Sequence, residues 1–175
     1  IDFVNENVGW IAGSNGNLVK TTDGGENWNS ILINENWNID KIDFVNESIG
    51  WAIGWLCESP DPFECCDIII KTHDGSQNWS IKMQIIHIGL SYIYAIDENN
   101  VYAVGANKIY KTSNGGTNWI NVSPNIFERN YNSLWFKDSQ IGIVVGNYND
   151  GIRDRGLILK TTDGGSSWNQ TIVNE

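Results

Sequence analysis

The 175-residue chain is 41% hydrophobic and has nine tryptophans, a composition typical of a packed protein rather than a disordered one. Its formal net charge is −10, from 11 Lys and Arg against 21 Asp and Glu. The lack of a basic stripe argues against nucleic acid or an anionic membrane surface as a partner, and no apolar run reaches the length of a membrane span. The missing initiator Met and signal peptide indicate a processed or excised segment.

Four groups of short predicted strands follow one another along the chain, at about residues 1–33, 39–86, 91–122 and 132–174. The predicted strands of the first group are 1–4, 9–13, 17–22 and 28–33. They are rich in Ile, Val and Trp and are separated by Asn and Gly clusters, which favours an antiparallel meander. Residues 42–51 closely repeat residues 1–10, and no helical periodicity appears anywhere.

An eight-residue motif follows the third strand of each group, at 21–28, 72–79, 112–119 and 161–168, and a Lys precedes each copy. In each copy, the side chain of an Asx residue can accept hydrogen bonds from backbone N–H groups, and the glycine that follows tolerates positive φ. Each copy therefore predicts a tight turn. Four near-identical copies cannot all be one active site, and we therefore expect a structural role. The Asx and Trp positions are Asp23, Trp28, Asp74, Trp79, Asn114, Trp119, Asp163 and Trp168.

The motif resembles the Asp-box, or bacterial neuraminidase repeat, S/T-x-D-x-G-x-x-W. The longer stretch 9–28 is similar to propellers of the photosystem II assembly and stability factor type. This resemblance implies an all-β fold, a β-propeller of four-stranded antiparallel blades around a channel. Four blades would form a single domain or segment over residues 1–175. Related propellers usually have more blades, so we expect a larger ring, an open arc or a multi-chain assembly such as a homo-oligomer.

Propeller geometry would place the connections between strands two and three, and those between blades, on one face. The insertions 56–66 and 147–155 and the connection 123–132 fall there. Aromatic and Arg side chains gather in the same region: Trp37, Trp55, Phe63, Phe127, Arg129, Tyr131, Tyr148, Arg153 and Arg155. Such residues on long loops of a rigid scaffold favour recognition of a protein or glycan partner. The alternative is that these rings only pack the loops onto the blade ends.

All three cysteines, Cys57, Cys65 and Cys66, lie in the first insertion. In an exported protein they would suggest a disulfide from Cys57 to Cys65 or Cys66, or a strained vicinal bridge. No His is near in sequence and no C-x-x-C spacing occurs, so a metal site is not expected. Exported members of the resembled family favour a secreted, periplasmic or cell-surface location.

No convincing catalytic set is present. A sialidase would draw arginines from several blades, whereas here they cluster in two adjacent connections. A glycoside hydrolase needs two carboxylates across a cleft, and nothing singles out a pair among Asp61, Glu64, Asp150 and Asp154. His73 and His87 are isolated from any triad partner. The sequence therefore predicts a non-enzymatic, cofactor-free binding or assembly scaffold, and the alternative is a glycan-cleaving enzyme that uses loop carboxylates.

Overall fold

The structure, a computed structural model, describes residues 1–57, 65–86, 88–125, 129–149 and 151–173. Within these ranges every helix or strand element is a β-strand. The first eight are β1 (Asp2–Phe3), β2 (Gly9–Ala12), β3 (Asn17–Thr21), β4 (Asn29–Leu32), β5 (Trp37–Phe44), β6 (Gly50–Leu56), β7 (Cys66–Thr72) and β8 (Trp79–Ile86). The others are β9 (Leu90–Ala95), β10 (Val101–Gly105), β11 (Lys108–Thr112), β12 (Ile120–Asn121), β13 (Arg129–Phe136), β14 (Gly142–Asn149), β15 (Asp154–Thr161) and β16 (Asn169–Val173).

Consecutive strands pair antiparallel into four sheets of four strands each. Sheet 1 contains β1–β4, sheet 2 β5–β8, sheet 3 β9–β12 and sheet 4 β13–β16. Every neighbour in a sheet is also the neighbour in sequence, as in a meander. The predicted all-β class and the four four-stranded blades are confirmed.

The two ends of each sheet make different structural contacts. At one end, the turn between the first two strands meets the Asp-box turn, since Gly24 N–H donates to Asn7 O at 2.8 Å in sheet 1. At the other, the connection between strands two and three meets the start of the next sheet, since Tyr131 N–H donates to Ala106 O at 2.9 Å. We call these the Asp-box end and the insertion end.

The chain divides into two compact units, Ile1–His87 and Ile88–Glu175. Unit 1 contains sheets 1 and 2, and unit 2 contains sheets 3 and 4. The core of unit 1 includes Trp10 and Leu18 from sheet 1 and Phe44, Ile68 and Ile70 from sheet 2. The core of unit 2 includes Tyr102, Val104 and Ile109 from sheet 3 and Phe136, Val144, Leu157 and Leu159 from sheet 4.

The two units use the same contact between their sheets. Trp10 stacks on Phe44 with ring centroids 3.7 Å apart, and Tyr102 stacks on Phe136 at 3.8 Å. Each Phe lies over a glycine of its own sheet, and a β-carbon added at Gly142 would come within 2.4 Å of the Phe136 ring. The glycine thus makes room for the ring that the preceding sheet packs against.

The Lys that precedes the Asp-box completes this contact. Lys20 Nζ donates to Gly75 O at 3.5 Å, and Lys111 Nζ donates to Gly164 O at 3.0 Å. Both acceptors belong to the Asp-box turn of the following sheet in the same unit. In sheets 1 and 3, the Lys before the motif therefore bonds its sheet to the next one.

In sheet 4, three strands extend into regions that were predicted to be connections. β13 begins at Arg129, whereas a connection was predicted over 123–132, and a bulge between Tyr131 and Ser133 shifts its register. β14 and β15 extend into the predicted insertion 147–155, where Asn149 still pairs with Asp154. The insertion is thus mainly the end of a long hairpin, because the ladder continues past the point where the apolar pattern stops.

Candidate functional site

The four Asp-box turns share one set of short-range hydrogen bonds. In the first, the Thr21 hydroxyl donates to the Asp23 carboxylate at 2.8 Å and accepts from Gly25 N–H at 2.9 Å. The same carboxylate accepts from the backbone N–H of Asn27 at 2.9 Å. Equivalent bonds recur around Asp74, Asn114 and Asp163.

These bonds stabilise the ionised carboxylates. The backbone N–H of Asn27 is the largest influence that lowers the pKa of Asp23 to about 2. The Ser167 hydroxyl is the largest influence that lowers the pKa of Asp163 to about 2. A carboxyl group held this way stays ionised near neutral pH and is a poor general acid. The geometry fits the structural role predicted for the motif.

The motif tryptophans, including Trp119 beside β12, are half-buried. Three of them donate their indole N–H to a main-chain carbonyl: Trp28 to Gly25 at 3.1 Å, Trp79 to Ser76 at 3.2 Å and Trp168 to Val122 at 2.7 Å. The same three meet a Phe edge-on, as Trp28 does with Phe3 at a centroid distance of 6.0 Å. These rings support the turn and the sheet beside it.

A polar pocket opens at the insertion end of unit 2, with a volume of about 610 Å³. Three segments form it: the β10–β11 turn, the start of β13 and the end of the β14–β15 hairpin. The lining residues are Ala106, Asn107, Arg129, Asn130, Asn147, Asn149, Gly151 and Asp154. Four Asn residues, one Arg and one Asp thus line a common space, which we call the insertion-end pocket.

Arg129 is the buried cation of this pocket, with 6% of its surface exposed. Its Nη1 donates to Gln170 Oε1 at 3.0 Å, and its guanidinium carbon lies 4.9 Å from the centroid of the Tyr148 ring. Burial lowers the pKa of Arg129 below its ordinary value. The sequence predicted this residue in an exposed connection; it lies instead on a strand, held by neighbours on β14 and β16.

Tyr131 belongs to the core of unit 2 and not to the surface for which the sequence predicted it. It is 1% exposed, and burial raises the pKa of its phenol. Among the described residues its hydroxyl has no hydrogen-bond partner. The bulge after Tyr131 sets which residues of β13 point inward, and this shift was not visible in the sequence pattern.

Arg153 and Arg155 flank Asp154 at the end of the β14–β15 hairpin. Asn149 Nδ2 donates to Asp154 Oδ1 at 3.0 Å, and Gly151 N–H donates to Asn149 Oδ1 at 2.8 Å, which closes the hairpin. A second cavity of about 220 Å³ lies beside it, lined by Arg153, Asp154, Arg155, Gly156 and Val173. The structure therefore gathers Arg129, Tyr148, Arg153 and Arg155, all predicted for recognition, at one end of unit 2.

Trp37 and Trp55 lie at the insertion end of unit 1. Trp37 is half-buried and packs against the unit 1 core, whereas Trp55 is 40% exposed. β6 ends one residue before Cys57, which forms a disulfide with Cys65. Cys66 begins β7 and is outside this bridge.

Several predicted residues lie outside the described ranges: Phe63, Phe127, Asp61, Glu64, Asp150 and His87. Of the carboxylates considered for glycan cleavage, Asp154 is described, and it lines the insertion-end pocket. His73 is exposed in the Asp-box turn of sheet 2. Across the described part of the chain, no three His, Cys, Asp or Glu side chains group as metal ligands. Nor does any described helix have the length and apolarity to cross a membrane.

The sequence did not single out the carboxamides that line the pocket. Asn107, Asn130, Asn147 and Asn149 come from three separate segments, and Gln170 on β16 holds Arg129. Only the strand register brings them together: Asn130 pairs with Asn147 across β13 and β14. Finding these residues from the sequence would have required the register between β13 and β14 and between β14 and β15.

A family model described as photosynthesis system II assembly factor YCF48 matches residues 1–126 of the chain. A curated relative, the photosystem II assembly lipoprotein Ycf48 of Synechococcus sp. (strain CC9902), is 28% identical over 126 residues. The match covers 68% of this chain and 34% of the relative. The chain thus spans about a third of the length of that relative.

Solved structures share the fold at low sequence identity. A structure of YCF48 bound to D1 peptide matches with a TM-score of 0.55 and 17% identity, covering 96% of this chain and 80% of that one. A GH74 enzyme from Niastella koreensis matches with a TM-score of 0.70 and 19% identity, covering 96% of this chain and 28% of the enzyme. At such identities the similarity establishes the β-propeller fold and nothing further.

Proposed function

The chain belongs to the photosynthesis system II assembly factor YCF48 family, and from this premise we propose that it is a non-enzymatic assembly scaffold that holds a peptide segment of a partner protein. The proposed site is the insertion end of unit 2. The observation that carries the proposal is the insertion-end pocket, in which four Asn residues, a buried Arg and an Asp line one space of about 610 Å³.

The chemistry of the pocket suits a peptide backbone. A carboxamide offers both a donor and an acceptor, as does each peptide unit, so Asn107, Asn130 and Asn147 can pair with main-chain groups in an extended segment. Strands rather than free loops position most of these side chains. A preorganised site loses less conformational entropy when it binds.

The charges favour a partner with a carboxylate. All three arginines of the chain are at or beside this site, although the chain as a whole carries a formal charge of −10. Arg153 and Arg155 lie near the rim and would meet an acidic side chain or a peptide C-terminus through a planar guanidinium. Rim pairs of this kind steer association and weaken as salt increases.

The comparisons support a protein as the partner. The Synechococcus relative is named a photosystem II assembly lipoprotein, and the solved YCF48 is bound to a D1 peptide. We transfer the class of ligand, a peptide of a protein under assembly, and not the identity of the peptide.

We also propose that the chain works in an exported, membrane-surface or lumenal compartment. Structural disulfides persist in oxidising compartments, and the chain contains the Cys57–Cys65 bridge. The lipoprotein name of the relative is consistent with this location. Peptide mapping without reductant should find the two cysteines linked in protein recovered from the native compartment, and two free thiols there would contradict the proposal.

The test of the binding function is selection of a phage-displayed random peptide library on the immobilised 175-residue chain. We expect enriched peptides that carry an acidic residue and that lose binding to Tyr148→Ala and to the double variant Arg153→Ala/Arg155→Ala. Because truncated anchors at an interface commonly cost 1–2 kcal/mol or more, the loss should be about 5- to 30-fold. Tyr148→Phe should retain binding, since it preserves the ring that faces Arg129.

Lys137→Ala is the matched control, because Lys137 is an exposed cation just after β13, at the Asp-box end of the same sheet. Peptides that bind this control and the site variants equally would contradict the proposed site. Turnover of a glycoside that is abolished by Asp154→Asn would overturn the non-enzymatic function itself.

A further inference from the structure

We propose that the insertion end of unit 1 carries a binding site for a neutral sugar, in which a pyranose ring stacks on the indole of Trp55 and hydrogen-bonds to Asn38 and Asp67. We call these three residues the Trp55 site. They belong to sheet 2, which has other sheets both before and after it in the sequence. The Trp55 site shares no residue with the insertion-end pocket and takes a different class of ligand, so it does not depend on the peptide-binding function.

Trp55 is an exposed ring on an otherwise buried strand. Every other residue of β6 is buried, whereas Trp55 is 40% exposed. Leu56, the next residue, lies in the core of unit 1, so the alternation of side chains along a strand turns Trp55 to the opposite face. The ring therefore adds little to this core, and much of its apolar surface is accessible to a ligand.

Strand register places a polar side chain on each side of this ring. Trp55 pairs with Asn38 of β5 and with Asp67 of β7. Directly opposite residues of neighbouring strands point to the same face, with β-carbons about 4.5–5.5 Å apart. The N–H of Asn15 donates to Asn38 Oδ1 at 3.1 Å, which fixes the orientation of that carboxamide. A ligand that lies on the indole can therefore reach both polar side chains.

The border of the ring carries negative charge. Asp40 lies in the bulge of β5, and loss of hydration, followed by the charge of Asp67, raises the pKa of Asp40. The two carboxylates therefore interact electrostatically, and both would repel a uronic acid or a sulfated sugar. Charged residues are also depleted in the centre of protein interfaces. A single ring beside carboxylates thus favours an uncharged polar ligand over an apolar protein surface.

A neutral pyranose has the chemistry that this arrangement can hold. Its C–H groups pack on an aromatic face, and the hydroxyls at its edge both donate and accept hydrogen bonds. Asn38 Nδ2 can donate to one hydroxyl, and the Asp67 carboxylate can accept from another. Small-molecule sites commonly combine aromatic surface with a few placed polar groups in this way.

Trp135 of sheet 4 supplies a contrast within the same chain. It is 52% exposed, but the residue opposite it on β14 is Ile143. An exposed indole is thus present there with an apolar neighbour in place of the amide that borders Trp55. If exposure of a ring were sufficient for sugar binding, the two tryptophans would behave alike.

The experiment titrates the ¹⁵N-labelled 175-residue chain with cellohexaose, whose glucose rings have equatorial hydroxyls and two apolar faces. The indole N–H signals are assigned from the spectra of Trp55→Ala and Trp135→Ala. We expect the Trp55 signal to shift and to saturate with a dissociation constant of about 0.1–1 mM, while the Trp135 signal stays in place. Hexagalacturonate, which is negatively charged, should shift neither signal.

Calorimetry with cellohexaose then compares variants whose circular dichroism matches the wild type. Trp55→Ala should weaken binding at least about tenfold. Asp67→Ala and Asn38→Ala should each weaken it about 3- to 10-fold, because each removes one hydrogen bond. Trp55→Phe should retain measurable binding, since an aromatic face remains, and Trp135→Ala should bind like the wild type.

Three results would overturn the proposal. One is a Trp55 signal that does not shift, or that shifts no more than the Trp135 signal. Another is equal affinity of Trp55→Ala and the wild type for cellohexaose. The third is a library-selected peptide that loses binding to Trp55→Ala, since this would assign the Trp55 site to the peptide instead of a sugar.

Discussion

The contact between sheets 1 and 2 predicts a large loss of stability for Trp10→Ala. Trp10 is completely buried and stacks on Phe44 at 3.7 Å, with Lys20 Nζ 4.9 Å from its ring centroid. Its indole N–H also donates to the buried Ser76 hydroxyl at 3.1 Å. One side chain therefore links the core of sheet 1 to the Asp-box turn of sheet 2.

The magnitude follows from these contacts. Truncation of a buried Trp to Ala costs about 3–5 kcal/mol, and loss of the hydrogen bond to Ser76 contributes about 1 kcal/mol. We therefore expect a decrease of about 4–6 kcal/mol in the free energy of unfolding, a large part of the 5–15 kcal/mol of an ordinary domain. Trp10→Phe keeps the stack and loses mainly the hydrogen bond, so it should cost about 1–2 kcal/mol.

Urea unfolding followed by circular dichroism measures these differences, with Trp55→Ala as the control in the same unit. Trp55 is 40% exposed, and its truncation should cost less than about 1 kcal/mol. A loss below about 2 kcal/mol for Trp10→Ala, or equal losses for the two tryptophans, would refute the assignment of Trp10 as the main sheet-to-sheet contact.

Three further predictions concern the turns, a close approach and the disulfide. Because hydrogen bonds lower the pKa of Asp163 to about 2 from 3.8, its stabilising contribution is present above pH 3.8 and is lost as the pH falls towards 2. The stability difference between wild type and Asp163→Asn in acid titrations should shrink over that range, and a constant difference would contradict it. Gly54→Ala places a β-carbon 1.9 Å from Asn38 O, so its thermal midpoint should fall clearly, and an unchanged midpoint would contradict the register of β5 and β6. The double variant Cys57→Ser/Cys65→Ser removes a disulfide between cysteines with a sequence separation of 8. In the chain-entropy model this loss lowers the free energy of unfolding, measured in urea, by about 2–3 kcal/mol. A stability equal to that of the wild type under oxidising conditions would contradict a structural role of the disulfide.

The fold was predictable because its signals are local. In the Asp-box, Thr21, Asp23, Gly25 and Asn27 make their hydrogen bonds within a few residues of sequence. A turn of this kind can therefore be predicted from the local sequence between the strands that it joins. The Lys before the motif was equally visible, but its acceptor in the next sheet was not, because that bond depends on how two sheets pack.

The site was predictable only in part. The sequence placed Arg153 and Tyr148 at the insertion end, and the structure places the Tyr148 ring 4.9 Å from the Arg129 guanidinium. It could not show that the bulge beside Tyr131 turns that ring into the core. Nor could it show the cluster of carboxamides, since Asn107 and Asn147 share a pocket only through three separately folded segments.

The most direct test of the proposed function is the salt dependence of peptide affinity, measured by fluorescence anisotropy with a peptide from the library selection. For the wild type and for Lys137→Ala, the dissociation constant should rise several-fold between about 0.05 M and 0.5 M salt, because rim charges are screened. For Arg153→Ala/Arg155→Ala, binding at low salt should be about 5- to 30-fold weaker and nearly independent of salt. Equal affinities and equal salt dependences for the three proteins would contradict binding at the insertion end of unit 2.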